Sequence, residues 1–278
     1  MALLCQDFMV RMKALTFYSF YRELKIFSKF LSLLLFFVIL LLTWLGITEW
    51  TGLVSGARFP SPTEAWNSFK IIAIQGYGNG RLYQHVLQSL LLVTSGFLVS
   101  SSLGILLGIL MGANKKMEAF MNPIFLTLRP IPPLAWIPLA IVWLGLGNSA
   151  KVMVIYVAAF VPAVINTFTG VRSIETPQRE AAAMLGVSRW TYYREVLIPG
   201  AMPLIFTGLR LSLQASWTTL VAAELVGATL GLGSILNQAA QDINPAMILV
   251  GMISVAISGW LMTQILARAE SYAMPWRA

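Results

Sequence analysis

Apolar residues dominate six long stretches of the chain, and polar residues gather in the short segments between them. The stretches fall near 30–50, 86–112, 120–146, 150–171, 203–227 and 246–267. Each suits a helix of about 20 residues crossing a bilayer. Helices are the expected spanning element because lipid offers no partner to a bare backbone group. The third stretch carries Pro123, Pro130, Pro132, Pro133 and Pro138, which predicts a broken or strongly kinked span. Upstream of the first span, Phe17, Phe20, Tyr21, Leu24 and Ser28 recur at helical spacing, with Arg22, Glu23 and Lys25 off that face. That pattern predicts an amphipathic helix on the inner membrane surface. The expected organisation is a cytoplasmic amphipathic segment over 1–29 followed by a membrane domain over 30–278. The first apolar run is too long for the core of a signal peptide and no small-residue cleavage site follows it, so it reads as an uncleaved span.

The polar segments have patterns of their own. Ser61-Pro62-Thr63-Glu64 sets a capping serine, a proline at the first helical position and a glutamate three after the cap. This is a capping box, and it predicts a helix over roughly 62–74. The glycines of GYGNG at 76–80 then turn the chain back. Between the fourth and fifth spans the chain reads EAAAMLGVSRWTYYREVLIP over 180–199. Thr176 and Pro177 can open a helix here, and Gly186 can close it cheaply in the left-handed conformation. Ser188 can cap a second helix reaching about Leu197, which Pro199 is expected to stop. Ala181, Ala182 and Ala183 leave one side of the first helix smooth, so another protein can approach its backbone. Met184 and Leu185 offer apolar contact, and Arg179 and Glu180 offer charge-assisted bonds.

Composition narrows the class. The chain has 278 residues, 58% hydrophobic and 11% charged, against about 25% charged in ordinary soluble domains. The reading is an all-α integral membrane protein with six transmembrane helices. A net charge of +8 can signal nucleic acid, but the basic residues fall in short loops and instead set topology. With the N-terminus inside, the inner segments hold Arg11, Lys13, Arg22, Lys25, Lys29, Lys115, Lys116, Arg129, Arg172, Arg179, Arg189, Arg194, Arg268 and Arg277. The outer segments hold only Arg58, Lys70, Arg81 and Lys151, so both termini are expected in the cytoplasm and the 176–199 elbow with them. A single cysteine, Cys5, excludes an intramolecular disulfide.

Glu180-Ala181-Ala182, then Gly186 four residues on, then Ile198-Pro199, resembles the EAA loop of ABC importer permeases. Val196-Leu197-Ile198-Pro199 is a mild variant of that loop's ending, and the resemblance extends over roughly 60–277. It implies a type I ABC importer permease fold, with a five-helix core plus one N-terminal helix. It also implies a coupling elbow in which Glu180, Ala181, Ala182, Gly186 and Pro199 meet a cytoplasmic ABC ATPase dimer. A second permease subunit, most simply an identical one, would complete the path. An external binding protein would deliver the cargo, and ATP and Mg would be bound by the partner ATPase. The chain lacks a GxxxxGK[ST] phosphate loop, so it should be a non-catalytic membrane subunit with no cofactor of its own. LRPIPPLAWIPLAIVWLGLG at 128–147 and GLRLSLQASWTTLVAAELVGATLGLG at 208–233 are similar to the taurine, aliphatic sulfonate, nitrate and bicarbonate subgroup. Taurine or another aliphatic sulfonate is the implied cargo, with nitrate, bicarbonate or an aromatic carboxylate as alternatives.

Candidate path residues are Trp136, Trp217, Thr218, Thr219 and Glu224. Glu224 lies within the fifth span, where an ionisable group costs about 2.5–3.5 kcal/mol to insert. It reads either as a gate, a cavity wall or a link to its dimer mate, or as a hydrogen-bonded structural acid near the outer interface. Hydroxyl and indole donors suit anions better, and helix packing explains those residues equally well. Ser216 and Thr219 can share one helix face. Arg129 and Arg210 read as headgroup or elbow anchors. His85 reads as an interface residue, because a lone histidine is poor evidence for a metal. A membrane-embedded enzyme would need clustered catalytic groups that these spans lack. A self-contained secondary transporter would explain the broken third span, but it leaves the elbow unexplained and no inverted repeat is visible.

Overall fold

The computed structural model describes residues 28, 31, 32, 34–51, 56, 58–174 and 176–277. The amphipathic helix expected over 1–29 lies outside the described residues apart from Ser28. The described chain is helical, with one isolated bridge between Tyr77 and Gly80. It divides into two compact units, Met1–Trp66 and Asn67–Ala278.

In the first unit, helix α1 covers Leu34–Trp50 and closes in a π turn over Gly46–Trp50. Its leucines and phenylalanines are exposed, apart from the part-buried Leu45. The Trp44 indole N–H donates to the Pro60 carbonyl at 2.9 Å, and the Trp44 and Phe59 rings lie 5.9 Å apart. The expected capping box is present. The Ser61 N–H donates to Glu64 Oε2 at 2.9 Å, and the Glu64 N–H donates to Ser61 Oγ at 3.2 Å. It opens α2, Pro62–Lys70, which runs on through a π turn over Ile71–Gln75.

The second unit is built on three helices. These are α3 (Leu82–Ala113), α6 (Asn148–Arg172) and α9 (Ile198–Gly227). α6 is the middle member, packed along α3 on one side and α9 on the other. The close α3–α6 approach rests on glycines one turn apart. A Cβ on Gly104 would lie 2.7 Å from the Ala163 Cβ, and one on Gly108 would lie 2.6 Å from the Thr167 Cβ. This small-xxx-small ridge is how helices pack where lipid removes the hydrophobic incentive. The signal stands in the sequence as GILLGILMG over 104–112.

Between α3 and α6 come α4 (Lys115–Leu128), a 3₁₀ turn over Pro133–Trp136 and α5 (Ile137–Leu144). The two arms meet at 84°, so the third span is broken where its prolines predict. Among the described residues four helices are long and apolar enough to cross a membrane, or five if the bent pair is one span; α1 is shorter. After α6 come α7 (Thr176–Met184) and α8 (Arg189–Tyr192). After α9, residues 228–245 hold a ten-residue helix, α10 (Leu232–Gln241). α10 buries Leu232, Ile235 and Ala239 against α9 and α11 (Pro245–Ala273).

Candidate functional site

The elbow forms from local rules. At the end of α7 the Val187 N–H donates to the Ala182 carbonyl at 3.2 Å, and the Gly186 N–H donates to the Ala183 carbonyl at 3.1 Å. These are the two bonds of a Schellman motif, with Gly186 in the left-handed region at φ 63°. Ser188 then caps α8, its hydroxyl accepting from the Thr191 N–H at 3.2 Å. One expectation is corrected here: Pro199 does not stop the second helix. A π turn over Tyr193–Leu197 joins α8 to α9, and the Ile198 N–H reaches back to the Tyr193 carbonyl. The wider π turn moves aside the carbonyls that would collide with the proline ring, so the helix continues.

Ala182 is buried, whereas Glu180, Ala181 and Ala183 are exposed. The side chains of Thr176 and Arg179 lie outside the described residues. Met184 and Leu185 are 86% and 81% exposed, and Trp190 beside them is 75% exposed. The sequence does not single out Trp190; its one available signal is an aromatic two residues after a capping serine. Behind the elbow lies a cavity of about 520 Å³ lined by Gly112, Ala113, Val171, Ala182, Tyr192 and Leu197. Leu197 packs with Val171, Ile174, Ala201 and Ile205, tying the elbow to α6 and α9.

A second cavity, of about 540 Å³, opens at the broken span. Its wall includes Trp136, Tyr156, Phe160, Ala215 and Arg129. Charge patterning puts Arg129 in an inner loop, but the cavity groups it with residues from the middle of α6 and α9. Of the candidate path residues, only Trp136 lines this cavity. Trp217 packs in the core with Leu213 and Leu220, its buried indole nitrogen without a hydrogen-bond partner among the described residues. Ser216 and Thr219 are both buried, on the shared face their spacing predicts. Thr218 is exposed and its hydroxyl donates to the Gln214 and Ala215 carbonyls, both at 3.1 Å.

Glu224 is fully buried near the end of α9. It accepts from the Ser89 hydroxyl at 2.8 and 3.1 Å and from the Gly233 N–H at 2.7 Å. One acid thus joins α3, α9 and the start of α10. His85, expected at an interface, is instead 1% exposed. Its Nδ1 lies 2.9 Å from the Gly231 carbonyl and its Nε2 lies 3.1 Å from the Tyr77 carbonyl. Lys151, a loop cation by its place in the sequence, is also buried. The imidazole satisfies backbone groups left open by the turns at 76–80 and 228–231, and the carboxylate takes an open N–H in the first turn of α10, pairings that a sequence pattern cannot make.

Comparison with known proteins places this geometry. The family described as "Binding-protein-dependent transport system inner membrane component" matches residues 104–272. The chain is 35% identical over 239 residues to the taurine transport system permease protein TauC of Escherichia coli, covering 86% of each. It is 34% identical to the putative aliphatic sulfonates transport permease protein SsuC of Bacillus subtilis, over 81% of this chain and 80% of that one. It is 35% identical to the nitrate import permease protein NrtB of Synechocystis, over 79% and 82%. Among solved structures, an inward-facing MetNI methionine ABC transporter chain superposes with a TM-score of 0.61 at 22% identity, over 69% of this chain and 95% of that one. The last likeness shows the fold alone. The chain belongs to the binding-protein-dependent transport system inner membrane components, and is an ABC transporter permease.

Proposed function

We propose that this chain is the membrane subunit of an ATP-driven importer for a small anion, with taurine or another aliphatic sulfonate as cargo. A binding protein on the outer face would deliver the anion, and two copies of the chain would enclose the path in the lipid bilayer. The elbow carries the reading. Its Schellman turn at Gly186 fixes the angle between α7 and α8, and the π turn makes α8 continuous with α9. A push on the exposed Met184, Leu185 and Trp190 would therefore move a spanning helix. Those three side chains are the apolar plug offered to a cleft in a cytoplasmic ATPase dimer, with Glu180, Ala181 and Ala182 on α7, the helix that Met184 ends. Both termini then lie in the cytoplasm, in agreement with the charge bias. Sulfonate relatives support the cargo, and the nitrate relative supports a planar oxyanion as the second candidate.

The test is co-purification with the ATPase subunit, and uptake in cells, before and after Glu180→Lys and Gly186→Pro. Both variants should lower ATPase recovery and uptake together. Unchanged assembly and uptake would remove the coupling role. Competition of labelled taurine uptake by alkanesulfonates, nitrate and bicarbonate then ranks the cargo, and alkanesulfonates should compete best.

A further inference from the structure

The broken span brings a cation to the middle of the bundle. Arg129 follows the last residue of α4, and Pro130 follows it. One turn earlier, Phe125 stacks on Phe160 with ring centroids 6.0 Å apart. Phe160 is the central residue of α6, and Ala215, on the same cavity, lies near the middle of α9. Arg129 therefore stands about halfway along the spanning helices and at neither end.

Its surroundings make the position costly. It is the one charged residue in the described lining of the 540 Å³ cavity, whose other walls are apolar or aromatic. Arg172 and Arg210 each pair with a carboxylate, Glu118 and Glu270 respectively. Among the described residues no carboxylate pairs with Arg129, and its side chain is exposed to the cavity. An unpaired arginine at such depth is tolerated where an anion or water meets it, and it marks an ion path by default. The guanidinium offers a planar fork of donors that fits two oxygens of one oxyanion.

We propose that Arg129 is the anion-selecting residue of this cavity: it holds one oxygen pair of a small sulfonate or similar oxyanion midway across the membrane, and Trp136 and Tyr156 bound the space around it. The inference rests on the importer reading and assigns the residue that makes the path anionic. It also explains why a proline-broken backbone is kept at this level, since irregular backbone at membrane depth survives only against protein or a cavity.

The experiment reconstitutes the permease with its ATPase and binding protein in vesicles and measures ATP-dependent taurine uptake per assembled transporter. Arg129→Gln should lower the rate at least tenfold, while Arg129→Lys should keep at least a third of it. If wild type takes up taurine and R129Q matches it, this inference is overturned and the importer reading stands. If wild type takes up no anion, both fall. A second measurement covers a poorly folding R129Q. In a Cys5→Ser background, Arg129→Cys is assembled and treated with a cationic aminoethyl thiosulfonate or a neutral methyl one. Uptake restored at least fivefold by the cationic reagent alone is the expected result, and equal effects of the two reagents would overturn the assignment.

Discussion

Ser89 and Glu224 lie 135 positions apart, yet the Ser89 hydroxyl donates to both carboxylate oxygens, at 2.8 and 3.1 Å. The same serine oxygen accepts from the Leu232 N–H at 2.9 Å, and Glu224 also holds the Gly233 N–H. Two side chains thus fasten the start of α10 to α3 and α9. Glu224→Ala should strand these donors and cost about 1–3 kcal/mol. Thermal unfolding in detergent should register a clear fall in Tm. Glu224→Gln, which keeps one acceptor oxygen, should fall less and still support uptake. A Gln variant with wild-type stability and no uptake would make Glu224 a gate instead.

The α3–α6 seam gives a second prediction. A Cβ on Gly108 would stand 2.6 Å from the Thr167 Cβ and 2.8 Å from the Val164 carbonyl. The helices cannot yield without separating, so Gly108→Val should cost at least the roughly 1–3 kcal/mol typical of overpacking. Less permease should accumulate in membranes, and the Tm should drop. An unchanged Tm would show that α3 and α6 are looser than described.

At Gly186 only the backbone is constrained, because a Cβ there meets nothing within 4 Å and φ is 63°. Gly186→Val should cost roughly 1–2 kcal/mol through left-handed strain alone. Gly186→Asn should cost less, since asparagine visits that region more readily. Uptake should follow the order Gly, Asn, Val, while the spanning helices keep their thermal transition. If uptake ignores the order, the elbow angle does not set coupling.

Tyr77 supplies a pH prediction outside the spans. Its hydroxyl hydrogen-bonds the Asp242 carboxylate, and burial together with that neighbouring charge pushes the phenol above the ordinary tyrosine range. The folded state therefore holds this proton more tightly than the unfolded chain. The stabilisation is complete below the unfolded tyrosine value of about 10 and is lost as pH rises through the higher folded value. Wild-type Tm should fall more steeply than that of Tyr77→Phe between neutral and strongly alkaline pH. Parallel curves would remove Tyr77 as the cause.

Local chemistry is the legible part of this chain. The Ser61–Glu64 box, the Gly186 turn and the proline-broken third span each depend on residues a few positions apart, so spacing alone locates them. Pairings across the chain are not legible. His85 meets Gly231 through a turn 146 positions away, and nothing near His85 announces it. α10 carries no clear local signal because LGSILNQAAQ is short and mixed, and packing against α9 and α11 holds it as a helix. Pro199 misleads for the opposite reason: a π turn just upstream absorbs a residue that ordinarily ends a helix. Arg129 falls among the loop cations because a proline break looks like a loop whether it lies at the surface or halfway through the membrane.

On the proposed reading, a separate nucleotide-hydrolysing subunit drives this permease through the 176–199 elbow. Taurine accumulation in sealed vesicles, with and without the ATPase, tests it most directly. Uptake against a gradient is expected only when permease, binding protein, ATPase and ATP are all present. Accumulation by vesicles holding the permease alone would show that no separate motor drives it.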